Sequence, residues 1–115
     1  MSGQVVIHIF HDDESSLNTA AHLADRIRHV TEERGVSLEV YVFGPAQKAL
    51  AASTGGVMRD TLVALAQAGV PVHTCRNTAE AIGKVEAFAQ MGIELEYARD
   101  AFVRYAVEGA TVISF

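Results

Sequence analysis

The chain has 115 residues, half of them apolar and a fifth charged, which suits one compact domain spanning residues 1–115. Fourteen acidic residues outnumber nine basic ones, and the basic ones are scattered, which excludes the clustered positive surface that nucleic acid requires. One cysteine excludes an intrachain disulfide framework and a cysteine-rich metal site, and no apolar run approaches the ~20 residues of a bilayer span.

Gln4 to Phe10 is a β-branched run, nearly apolar throughout, as in a strand buried on both faces of a parallel sheet. It has no basic region before it and no small-residue cleavage site after it, so a cytoplasmic location is expected. His11 to Ser15 is a polar break in which Asp13 or Ser15 suits a helix cap. Leu17, Ala20, Ala24 and Ile27 then recur at helical spacing, and Gly35 ends the helix. A second strand runs from Val36 to Phe43 and closes on Gly44-Pro45. A short helix is expected over Ala46–Ala52, a break at Ser53-Thr54-Gly55-Gly56, and a further helix over Val57–Ala68. Val70 to Thr74 reads as a third strand, followed after Cys75 by a helix over Thr78–Gln90 that Gly83 weakens. Ile93 to Leu95 suits a short fourth strand or a loop, Tyr97 to Glu108 a helix, and Ala110 to Phe115 a final strand.

Strands alternating with helices predict a three-layer, flavodoxin-like, doubly wound and mainly parallel α/β sheet of about five strands. Right-handed crossovers reduce the strand order most simply to 2-1-3-4-5. Ligands then bind where the order reverses, between the first and third strands, outside their carboxyl ends. The loops expected to meet there are His11-Asp12-Asp13 and Cys75-Arg76-Asn77-Thr78, with Gly44 in one wall. Asn77 or Thr78 suits the cap of the following helix, whose first amides favour thiolate at Cys75. Arg76 adds positive charge, and His73, two residues back along a strand, shares a face with Cys75. Asp12 and Asp13 act against a thiolate, so the net direction of the thiol's pKa stays open.

Ala68-Gly-Val-Pro-Val-His-Thr-Cys-Arg-Asn-Thr78 resembles the segment around the cysteine of the DsrE/DsrF-like (YchN-like) sulfur-relay family. Phe10 to Ala24, Val40 to Pro45 and Glu108 to Phe115 resemble further pieces of that family in the same order, whereas Ala79 to Gln90 departs from it. The resemblance implies a small doubly wound domain that assembles into dimers, trimers or hexamers. It implies a sulfurtransferase-like carrier whose Cys75 holds sulfane sulfur as a persulfide, supported by Asn77 and Thr78, between donor and acceptor proteins. Such exchange needs no metal or organic cofactor. Two other readings stay open: a ligand-binding or regulatory module of the same fold with Cys75 a bystander, and a thiol redox sensor.

No metal site is expected: His8 and His11 fall on opposite faces of a strand, and His22 and His29 lie two helical turns apart. Gly55-Gly56 lacks the Gly-Lys-Ser/Thr ending of a phosphate loop and reads as a turn. Tyr97, Phe102 and Tyr105 at helical spacing read as core or subunit interface, and an apolar end strand favours oligomerisation.

Overall fold

A computed structural model describes residues 3–52 and 56–115. The expected break at Ser53-Thr54-Gly55, including the first residue of the Gly55-Gly56 turn, lies outside the described residues. The elements run β1 (Gly3–Ile9), α1 (Glu14–Arg34), β2 (Val36–Val42), α2 (Pro45–Ala51), α3 (Val57–Gln67), β3 (Val72–Thr74), α4 (Arg76–Ala81), α5 (Val85–Gln90), β4 (Glu94–Leu95), α6 (Ala98–Glu108) and β5 (Thr111–Ser114). All four strand pairings are parallel, so the three-layer doubly wound fold is as the sequence predicts.

The strand order is β4-β3-β2-β1-β5, which corrects the expected 2-1-3-4-5. The reason lies in β2, where Leu38, Glu39, Val40, Tyr41 and Val42 are all buried, so this strand takes the centre. The two-residue β4 and the wholly exposed β5 take the edges. The first three crossovers advance in one direction, and α6 alone returns across the opposite face to place β5 beside β1. The order therefore reverses between β1 and β5, and β2 separates β1 from β3.

Two cores follow from that winding. On one face Ile7, Ile9, Val40 and Val42 meet Ala20, Ala21 and Ala24 of α1, whose small side chains let the helix lie close to the sheet. Leu62, Leu65, Ala79 and Phe88 complete this core. On the other face Val6, Tyr41 and Cys75 pack against Ala101 and Tyr105 of α6. The register lines Ser114, His8, Tyr41, His73 and Glu94 in one row across all five strands.

Local details refine the expected elements. Asp13, not Ser15, caps α1: its carboxylate accepts from the Ser16 amide at 2.9 Å and the Ser16 hydroxyl at 2.7 Å. The helix expected over Thr78–Gln90 is two helices, because Gly83 turns the chain at φ 68° between α4 and α5. Strand β3 begins at Val72, after Pro71, which has no N–H to give the ladder.

Candidate functional site

Cys75 ends β3 and is itself the N-cap of α4, with extended backbone (φ -71°, ψ 124°) and its carbonyl accepting from Ala79 N–H at 3.0 Å. This corrects the expectation that Asn77 or Thr78 caps the helix. Both instead occupy its first turn, where their free amides point back toward the sulfur. The buried amide of Gln47 on α2 donates to the Cys75 carbonyl at 2.8 Å, and the Thr74 hydroxyl donates to Val42 C=O at 2.6 Å, tying the strand end to its neighbours.

The cysteine is 95% covered, yet it lies on the wall of an open cavity of 670 Å³. Asn77 and Thr78 line one side, Tyr97, Ala98 and Arg99 the other, and Phe43 the back. That size suits a small ligand or a short segment of chain. Burial pushes the thiol up. The amides of Thr78, Ala98 and Asn77 and the Thr78 hydroxyl together outweigh it, holding Cys75 below the ordinary thiol value. The amide donors come from the starts of two helices, α4 and α6, of which sequence reasoning found only the first.

The strand order decides which predicted residues meet Cys75. Because β2 lies between β1 and β3, Phe43 intervenes between the cysteine and the loop after β1. Asp12 and Gly44 line a neighbouring cleft of 590 Å³ that shares Phe43 and Thr78 with the first. His11 is exposed, its ring edge-on to Phe10 at 5.2 Å. Arg76 opens α4 outside the cavity lining. Gly44 has φ 64°, and a Cβ there would run into the Phe10 ring.

His73 shares the α6 face with Cys75 but is engaged elsewhere. Its Nε2 lies 3.1 Å from Glu94 and its Nδ1 3.1 Å from Glu96. Arg104 of α6 bridges Glu96 (3.1 and 2.8 Å) and Glu39 (3.1 and 2.6 Å), and the Tyr105 hydroxyl donates to Glu39 at 2.5 Å. Among the described residues, Glu39, His73 and Glu96 form a group whose possible metal-ligand atoms lie within 4.8 Å of one another. The histidine pairs weighed in the sequence do not point to it. Arg104 supplies positive charge there, and the hydrogen bonds of Glu96 and then Glu39 raise its pKa further.

Tyr41 links this cluster to the cysteine, and sequence reasoning missed it. Its buried hydroxyl donates to Glu96 C=O at 2.8 Å. Its pKa stands far above the usual value through burial first, then the charge and hydrogen bond of Cys75 and the charge of Glu96. The signal was a tyrosine inside a buried apolar strand, since a buried phenol needs a partner. Of the three aromatic residues expected in a core or subunit interface, Tyr105 is in the core, Phe102 is half-buried beside it, and Tyr97 is 42% exposed on the cavity rim.

An all-parallel five-stranded sheet with helices on both faces and a cysteine at the end of β3 is an α/β domain of the doubly wound class. No protein-family model and no curated protein matches the chain. Solved structures do. A conserved protein of unknown function from Bacteroides thetaiotaomicron, BT1422, superposes with TM-score 0.82 at 18% identity over 97% of this chain and 94% of that one. MTH1491 of Methanobacterium thermoautotrophicum, also of unknown function, gives 0.76 at 23% identity over 99% and 100%. The ychN protein of E. coli gives 0.70 at 17% identity over the whole of both chains. The chain therefore has a YchN-like fold. Among the described residues no helix is long and apolar enough to cross a membrane.

Proposed function

We propose that the protein is a cytoplasmic sulfur carrier that holds sulfane sulfur as a persulfide on Cys75 and passes it from a donor protein to an acceptor. The observation that supports this reading most is Cys75 on the wall of an open cavity, among amides that favour its thiolate. The thiolate attacks the outer sulfur of a donor persulfide, forming a new S–S bond while the donor's S–S bond breaks and the donor leaves as thiolate. An acceptor thiolate then attacks the outer sulfur on Cys75, which returns to thiolate. Neither step changes the net oxidation state, so the exchange calls for no metal or organic cofactor. Asn77, Thr78 and Ala98 stabilise the anionic sulfur in each step.

The carrier works as a homo-oligomer. All four residues of β5 are exposed, Val112 and Ile113 among them, and Val103 (59%) and Val107 (83%) of α6 are more so. Light scattering tests this directly; a monomer at all concentrations removes it.

Intact-mass spectrometry after brief exposure to a persulfidated donor protein tests the chemistry, with Cys75→Ser beside it. A gain of one sulfur, reversed by reductant and absent in the variant, is the expected result. No gain, with a thiol that alkylates only after denaturation, overturns the reading.

A further inference from the structure

We propose that Glu96 is a positioning residue for Cys75: its carboxylate, clamped by Arg104, fixes the turn that aims the Ala98 amide at the sulfur. The inference rests on Cys75 as the reacting group, and adds a control point outside the cavity.

Glu96 is held through every polar group it has. Its N–H donates to Thr74 C=O at 3.0 Å, next to Cys75 in the chain, and its own C=O accepts from Tyr41. Its carboxylate takes Nε and Nη2 of Arg104 and faces His73 Nδ1 at 3.1 Å. Two residues on, Ala98 lines the same cavity as Cys75 and packs against the buried cluster that contains it, and its amide favours the charged form of the sulfur. Tyr97 between them is the N-cap of α6 but makes no side-chain cap hydrogen bond. The start of the helix is therefore anchored from upstream, and the strongest anchor there is the ion pair. Arg104 is fixed in turn by Glu39, whose side chain is only 6% exposed on the central strand. A chain of contacts thus runs from the middle of the sheet, through Arg104 and Glu96, to the cavity wall.

A purely electrostatic role for Glu96 predicts the opposite sign. A nearby negative charge disfavours a thiolate, so deleting it would favour thiolate. Loss of positioning would disfavour thiolate, because the Ala98 amide would wander from the sulfur. The other groups facing Cys75 are the Tyr41 hydroxyl from β2, Asn77 and Thr78 from α4, and Tyr97 and Arg99 beside Ala98. None is altered by the substitutions below.

The test is the pH dependence of Cys75 alkylation by iodoacetamide in the full chain. For Glu96→Ala the midpoint is expected to rise by about one pH unit, a tenfold loss of thiolate fraction. Glu96→Gln keeps an acceptor for Arg104 and is expected to stay near wild type. Arg104→Lys preserves charge but not the forked geometry, and its midpoint is expected to rise as well. Glu94→Ala removes an exposed carboxylate that contacts His73 without holding the turn, and is expected to leave the midpoint unmoved. A fall or no change in Glu96→Ala overturns the proposal. Should that variant fail to unfold cooperatively, an unmoved midpoint in Arg104→Lys overturns it instead. Sulfur loading is read separately. If wild type refuses sulfur while Glu96→Ala raises the midpoint, the carrier reading fails and the positioning role stands. If wild type loads sulfur while the midpoint stays unmoved, the carrier reading stands and the positioning role fails.

Discussion

Replacing Arg104 by Met removes the cation that Glu39 and Glu96 share while keeping the length of the aliphatic stem. Glu39 is left with its side chain 6% exposed, accepting from Tyr105 and 4.0 Å from His73. Breaking a fully buried pair from one side costs roughly 3–5 kcal/mol. Arg104 is itself 31% exposed, so water reaches the site and about half of that figure applies, ~2 kcal/mol. For a domain of this size that corresponds to a fall in Tm of roughly 8 °C. Urea unfolding followed by circular dichroism measures it, and the m-value should not change. The pH dependence supplies a second check. Hydrogen bonds from Arg104 are the largest influence on Glu96 and, against burial, hold its carboxyl below the usual 4.5. A lowered folded value stabilises the protein above the unfolded value, and that stability is lost as pH falls through the folded one. Acidification should therefore narrow the gap between wild type and variant. A loss no larger than the ~0.2–1 kcal/mol of an exposed ion pair at neutral pH would refute the reasoning.

Gly44→Ala should lower stability by at least ~2 kcal/mol in the same assay, because the residue has φ 64°, ψ -143° and a Cβ would meet the Phe10 ring. Tyr41→Phe removes a buried hydroxyl that donates to Glu96 C=O and should cost ~1 kcal/mol, seen as a Tm lower by roughly 4 °C. His8 has its pKa lowered, by burial first and then by His11, so the unfolded chain takes up protons more readily. Its contribution to stability should fall as pH drops below about 6.5, and a His8→Gln variant should show a flatter stability profile there.

The period of the apolar residues made the layers legible, and the one cysteine at a strand end made the site legible. Ile7 and Ile9 in β1, and Ala20 and Ala24 in α1, sit on the faces their spacing predicts. Periodicity says which face a residue takes, however, and nothing about which strand lies beside which. The hints to the order were a two-residue β4, which suits an edge, and a β2 in which five consecutive residues are buried, which suits the centre. Placing β1 beside β3 brought Asp12 and His11 toward the cysteine and hid the loop after β4, which supplies Ala98.

Glu39 shows what the correct order adds. A carboxylate in the middle of a buried strand must be paired, and that demand is visible in Val36-Ser-Leu-Glu-Val-Tyr-Val42 alone. The partner is 65 residues away on α6. It comes within reach only because α6 crosses the sheet alone on the face that Glu39, Tyr41, His73 and Cys75 share. The return crossover that places β5 beside β1 thus serves the site as well as the fold. Its first residue offers an amide to the sulfur, and its seventh, Arg104, holds the glutamate two residues upstream of that amide. Stability and thiolate character should therefore fall together in Arg104→Met. In Glu94→Ala, where the exposed carboxylate touches His73 alone, both should stay close to wild type.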